Sequence, residues 1–184
     1  MADYNGTDEE DLIDASELDS EIGNIYPGKG NDTVTNATSK HTIISGPGED
    51  NISGEKFGYA LWNATQAVTI NLKENWSEDG FGTRDTVSGV ETIHGSSFGD
   101  TVYGSENYER YFVNGGNNTI DGGGGYDRAS YAPGRGASTD FEITYIDGSA
   151  HVKGENTLDI LKKISIIEFM DDSEIYSVDD ENGS

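Results

Sequence analysis

Branched or apolar residues stand nine apart along the first part of the chain: Ile25, Val34, Ile43, Ile52, Leu61 and Ile70. A second run, Ile93, Val102, Tyr111, Ile120 and Ala129, keeps the same interval, and the residues before each position are rich in Gly, Asn and Asp. Each unit reads as a turn followed by a three-residue strand with one inward apolar side chain, which alone builds no core. Burial then accumulates only by stacking units on their neighbours. Gly28, Gly30, Asp32 and Val34 recur 18 residues later as Gly46, Gly48, Asp50 and Ile52, so one full circuit is two turns and two strands. The spacing predicts an all-β fold with Ile25, Ile43 and Leu61 in one column and Val34, Ile52 and Ile70 in the facing one.

The phase weakens at identifiable places. Residues 1–17 hold a degenerate unit with Asp11 before Ile13 and read as a fraying leading edge, whereas residues 18–62 keep the nine-residue register. Between residues 63 and 94 the glycine pattern lapses; Val68 to Leu72 alternates as a strand, and Lys73 to Gly80 reads as an exposed excursion. After Pro133 the pattern changes again. Phe141, Ile143 and Tyr145 alternate, Asp147-Gly148 predicts a two-residue hairpin turn, and Ile160, Leu161, Ile164, Ile166, Ile167 and Phe169 form the densest apolar stretch. A repeat array needs its last apolar face closed, so residues 1–136 are expected to form the array and 137–180 its β cap within the same domain.

Composition narrows the chemistry. The 184 residues carry 35 acidic and 11 basic side chains, a formal charge of -24, which disfavours nucleic acid or an anionic membrane and favours a cation. Apolar residues make up 33% and mean hydropathy is -0.63, near the disordered class unless something neutralises the acids. Cysteine is absent, so thiolate sites and disulfides are excluded and oxygen ligands remain. The N-terminal residues show neither the basic nor the apolar stretch of a cleavable signal, and no run is long enough to span a membrane.

Two positions before each apolar residue of the array stands, in many units, an oxygen donor: Asp11, Asp32, Asp50, Asp100, Glu109, Asn118 and Asp127. Gly122 to Ser130 matches the calcium-binding repeat G-G-x-G-x-D-x-U-x at every position, and Gly28-x-Gly30-x-Asp32 and Gly46-x-Gly48-x-Asp50 carry its central part. The chain therefore resembles the RTX, or hemolysin-type, calcium-binding family. Asp159, Leu161, Ile164, Ile167, Phe169 and Asp171 also match the D-x-L-x-x-I-x-x-I-x-F-x-D tail that closes many RTX blocks, with Ser165 where Glu is usual.

The resemblance implies a right-handed parallel β-roll of 18-residue coils that binds several calcium ions. Calcium takes six to eight oxygens, more than one turn supplies, so stacked turns would share an ion through glycine carbonyls and paired acids. The implied ligands are Gly28, Gly30, Asp32, Gly46, Gly48 and Asp50 in one group, Glu109, Gly123, Gly125 and Asp127 in another, and Asp100 with Asn118, with Asp11 and Asp85 as further candidates. Gly23, His41 and Tyr59 break the pattern at the same position. The resemblance also implies a non-catalytic module of a larger protein, secreted by type I export and folding in cis with its parent domains once extracellular calcium is met. The last residues, 179–184, lack the acidic-then-apolar ending of many RTX proteases.

Rival readings are weaker. A calcium-dependent module for a polysaccharide or cell surface would use aromatic side chains, Trp76 foremost. Gly95-Ser96-Ser97-Phe98-Gly99 satisfies G-x-S-x-G formally, but Asp100-Thr101-Val102 returns to the repeat without the helix a nucleophile elbow needs. His41, His94 and His151 lack zinc-hydrolase spacing, and Gly23 to Gly30 lacks the final Ser or Thr of a P-loop. Outward threonines form no regular ice-binding array, and the basic residues are too scattered for a lyase.

Overall fold

The computed structural model describes residues 2–178; Met1 and residues 179–184, including the chain ending considered above, lie outside the described residues. The fold is nearly all β and mostly parallel. The first block contains β1 (Ala2–Thr7), β2 (Leu12–Asp14), β3 (Ile22–Gly28), β4 (Thr33–Ala37), β5 (Thr42–Ile44) and β6 (Asn51–Ala60). Strands pair in parallel with the next but one: β1 with β3 and β3 with β5, β2 with β4 and β4 with β6. Consecutive strands thus alternate between two ladders, and each sends one apolar side chain inward.

The register agrees with the sequence spacing only in part. Ile25 faces Ile43 and Val34 faces Ile52, as the interval of 18 requires. Residues 2–17 do not fray: Tyr4 faces Ile25 and Ile13 faces Val34, and Ala15 is fully buried. Their offset is 21, since a longer link joins β2 to β3. The predicted third members of the columns are also corrected. Ile43 faces Tyr59 instead of Leu61, because β6 runs unbroken from one ladder into the other through a sharp bend at Lys56 (φ 59°), which shortens the circuit. Leu61 is buried just beyond the strand and donates its N–H to the His94 carbonyl.

The place expected for Ile70 belongs to Val87. The middle of the chain forms β7 (Thr69–Asn71), β8 (Trp76–Glu78) and β9 (Arg84–His94), an antiparallel meander inserted into one ladder. β9 then lies parallel to β6, so that Ile52 faces Val87 and Tyr59 faces Ile93. Residues 73–80 are accordingly not a wholly exposed excursion: Ser77 and Asp79 are fully buried.

Regularity returns in β10 (Thr101–Tyr103), β11 (Arg110–Val113), β12 (Thr119–Asp121) and β13 (Arg128–Tyr131). Ile70, Val102 and Ile120 align in one ladder, and Ile93, Tyr111 and Ala129 in the other. Beyond a 3₁₀ turn at Ser138–Asp140 come β14 (Glu142–Ile146), β15 (Ser149–Lys153), β16 (Leu158–Lys162), β17 (Ile166–Phe169) and β18 (Glu174–Ser177). β16 and β17 extend the two ladders by one parallel strand each, bringing Leu161 beside Ile120 and Ile167 beside Ala129. The antiparallel pair β14–β15 then closes one ladder and β18 the other. The hairpin turn falls at Asp147-Gly148, both at positive φ (49° and 73°), the backbone that a two-residue turn of this hand requires.

Both ladders face one continuous core running from Ile13 to Phe169. Each fully buried Ile or Leu in it contributes about 2 kcal/mol, and each contribution depends on the coils above and below. Among the described residues no helix is long and apolar enough to cross a membrane.

Candidate metal centre

The oxygen donors two residues before each inward apolar side chain lie inside the turns. Asp32, Asp50, Asp85, Asp100, Glu109, Asn118, Asp127 and Asp159 are all buried. All but Glu109 accept a main-chain N–H from the stacked turn or strand before them. On one flank Asp11 N donates to Asp32 Oδ1 (2.8 Å), Asp32 N to Asp50 Oδ1 (2.9 Å) and Asp50 N to Asp85 Oδ1 (3.1 Å). Further along it, Val68 N donates to Asp100 (3.0 Å), Asp100 N to Asn118 (2.9 Å) and Asn118 N to Asp159 (2.8 Å). On the opposite flank Glu109 N donates to Asp127 Oδ1 (2.7 Å). The three pairs expected from the sequence, Asp32 with Asp50, Glu109 with Asp127 and Asp100 with Asn118, are therefore brought together.

The glycines let the turns stack this closely. A Cβ built on Gly46 would lie 1.7 Å from the Gly28 oxygen, and one on Gly48 1.7 Å from the Gly30 oxygen, so no side chain fits between these turns.

The second carboxylate oxygen distinguishes the turns. Thr7 N and Oγ1 donate to Asp11 Oδ2 (2.7 and 2.8 Å). Ser96 donates its hydroxyl to Asp100 Oδ1 and its N–H to Oδ2 (2.5 and 2.7 Å). The Ser105 hydroxyl donates to Glu109, whose other oxygen accepts from Tyr111 Oη (3.2 Å). Ser45 Oγ stands 2.7 Å from Asp50 Oδ2 and 2.9 Å from Asp85 Oδ2, and Tyr59 Oη donates to Asp85 Oδ2 (2.6 Å). One hydroxyl proton cannot serve two carboxylates, so a proton on Asp85 completes the network. Burial pushes Asp85 up from its ordinary 3.8 to about 7, against the hydrogen bonds from Tyr59, Asp50 and Ser45 that lower it.

Asp159 is satisfied differently. It accepts from Tyr131 Oη at 3.0 Å and from Asn118 Nδ2 at 2.8 Å, and Arg135 stands 3.6 Å from its outer oxygen. Asp32 Oδ2 and Asp127 Oδ2, both buried, have no hydrogen-bond partner. Burial raises both groups, Asp127 to about 7, and the charges that raise them further are acids: Asp50, Asp11 and Glu10 for Asp32, Glu109 for Asp127. A buried carboxylate oxygen without a donor is costly unless a proton or a cation takes it up. These residues therefore fit a hard cation, for which the glycines of the same turns, Gly28 and Gly30 with Asp32 and Gly123 and Gly125 with Asp127, would offer main-chain carbonyls. Among the described residues no three acidic or histidine side chains converge on one point, so such an ion would draw most of its oxygens from main-chain carbonyls.

Sequence reasoning named Asp159 only as a tail residue and missed the hydroxyl donors. The signal was available: Thr7, Ser96 and Ser105 each stand four residues before an acid. His41 is buried, with Nδ1 accepting from Thr38 N (3.0 Å), and acts as a turn residue. Ser97 lies exposed in a turn that leads straight into β10. Trp76 offers no free ring face of the kind a sugar would need on its Arg84 side, since that guanidinium lies 4.0 Å from the ring centroid. Neither protein-family models nor curated proteins give a match to this chain.

Proposed function

We propose that this chain is a calcium-binding module, wound as a right-handed parallel β-roll, that folds when it meets extracellular calcium as part of a larger secreted protein. The observation that carries the reading is the pair of buried carboxylates, Asp32 and Asp127, each with one oxygen unpartnered and only acids among the charges that raise its pKa. Bound calcium would supply positive charge and tolerate the irregular oxygen set of a glycine turn, whereas magnesium demands compact octahedral coordination. The role is folding and not catalysis. Without a divalent ion the net charge of -24 opposes compaction, and each ion removes two units of it. Metal affinity is then linked directly to folding free energy.

The test is circular dichroism and hydrodynamic radius in chelator, in millimolar magnesium and in millimolar calcium. The expected result is an expanded chain in the first two and a compact β-rich one in the third. Identical spectra and radii in all three would sink the proposal.

A further inference from the structure

Acids at the same place in the repeat are satisfied in unlike ways. Counting the acid as position six, position two is Thr7, Ser96 or Ser105 in the turns of Asp11, Asp100 and Glu109, and its hydroxyl donates to the carboxylate. Asp50 and Asp85 share Ser45, Tyr59 donates to Asp85 as well, and Asp159 has Tyr131, Asn118 and Arg135. Among the described residues, only in the turns of Asp32 and Asp127 do glycines occupy positions two and four with positive φ at both: Gly28 at 119° and Gly30 at 107°, Gly123 at 84° and Gly125 at 90°. These are also the turns whose acids keep an unpartnered buried oxygen.

The two markers exclude the hydroxyl solution together. A side chain at Gly28 would meet the Thr7 oxygen at 1.7 Å and one at Gly123 the Ser105 oxygen at 2.2 Å, besides the strain of a positive φ. No Ser or Thr can be placed there to close the carboxylate.

We infer that the repeat uses two interchangeable devices: an internal donor closes the turns of Asp11, Asp50, Asp85, Asp100, Glu109 and Asp159, and a calcium ion closes those of Asp32 and Asp127. The inference rests on the proposed calcium reading and sharpens it from a file of ions to two, one in each repeat block and one on each flank. Asp50 and Glu109, stacked against the two acids, face the ions as neighbours and hold none of their own.

Calcium chloride titrated into the full chain by isothermal titration, with the ion count checked by native mass spectrometry, should give two ions. Asp32→Asn and Asp127→Asn should each leave one, and Asp100→Asn should leave two. Circular dichroism in saturating calcium identifies any variant that has failed to fold, and the wild-type count decides the matter without variants. Four or more ions in the wild type, or loss of an ion in Asp100→Asn, would overturn the two-device inference while leaving the calcium module intact. Absence of any uptake would overturn both.

Discussion

The two flanks of turns solve one packing problem with different residues. Turns leading into β2, β4, β6, β9, β10, β12 and β16 carry Asp11, Asp32, Asp50, Asp85, Asp100, Asn118 and Asp159, and the N–H to side-chain oxygen bonds between neighbours form two continuous runs. The opposite flank, two residues before Ile25, Ile43, Tyr59, Ile93, Tyr111, Ala129 and Ile167, carries Gly23, His41, Phe57, Glu91, Glu109, Asp127 and Ser165. Both flanks stack, so an acid is not required to form the turn. It is tolerated where the second oxygen finds a donor, or would find the proposed cation, and the acid-rich flank has collected Ser45, Tyr59, Ser96, Tyr131 and Arg135 as donors.

The largest way to disturb this comparison is to remove the closing end. Truncation after Pro133 deletes β14 to β18, takes from Asn118 the carboxylate of Asp159, and uncovers Tyr131, whose ring stacks on Phe169 at 4.9 Å. Every proposed ligand survives, yet metal binding must then support an array with two open edges. The calcium midpoint for folding should rise roughly tenfold or more. An unchanged midpoint would mean that residues 137–178 are an independent unit.

Next in size is the hub of the acid-rich flank. Asp85→Ala strands the Asp50 N–H and the hydroxyls of Tyr59 and Ser45, and should cost about 3 kcal/mol in denaturant unfolding. Asp85→Asn should be far milder, because the native carboxyl already holds its proton below pH 7. The sign follows from linkage. A folded-state value raised from 3.8 to about 7 gives stability that is full below 3.8 and lost as pH rises through 7, by about 4 kcal/mol at the limit. The wild type should therefore lose stability relative to Asp85→Asn between pH 5 and 8. A constant difference across that range would show that Asp85 is ionised throughout.

Gly46→Ala tests the stacking itself. Gly46 does not have a positive φ, so only the contact with the Gly28 oxygen penalises a methyl group there. The expected loss is about 2 to 3 kcal/mol. A neutral substitution would show that the turns can separate.

Much of this was legible in the sequence because a nine-residue interval constrains side-chain direction directly. The inward residues, the pairing of Asp32 with Asp50 and of Glu109 with Asp127, the hairpin at Asp147-Gly148 and the β character of the tail all follow from local spacing. What escaped depended on where the chain leaves and rejoins the array. Tyr59 displaces Leu61 because one bend is tight, and Val87 displaces Ile70 because a meander re-enters beside β6, neither of which shifts the apolar periodicity nearby. The closing donors escaped for another reason: a Ser four residues before an acid looks like ordinary turn composition until the acid is seen to be buried.

The smallest predicted effect lies outside the turns and distinguishes the ladders from their connections. On the outer side of one ladder His94 stacks on Phe112, with centroids 4.3 Å apart and planes within 4°, while Trp62 meets it edge-on at 5.4 Å. Arg110 lies over the far ring at 4.6 Å. Burial, then the Arg110 charge, lowers His94 from 6.5 to about 4, so the folded state holds it neutral. A depressed value gives stability that is full above 6.5 and lost as pH falls through 4, opposite in sign to Asp85. At pH 5 the unfolded chain is favoured by about 2 kcal/mol through this group alone. His94→Phe keeps the stack and removes the titration, so in saturating calcium the variant should gain on the wild type as pH drops from 7 to 5. Because protons also compete for the carboxylates in both proteins, the difference between them isolates His94. A difference that stays flat with pH would mean that the imidazole is solvated and that this face of the ladder opens without unfolding the turns.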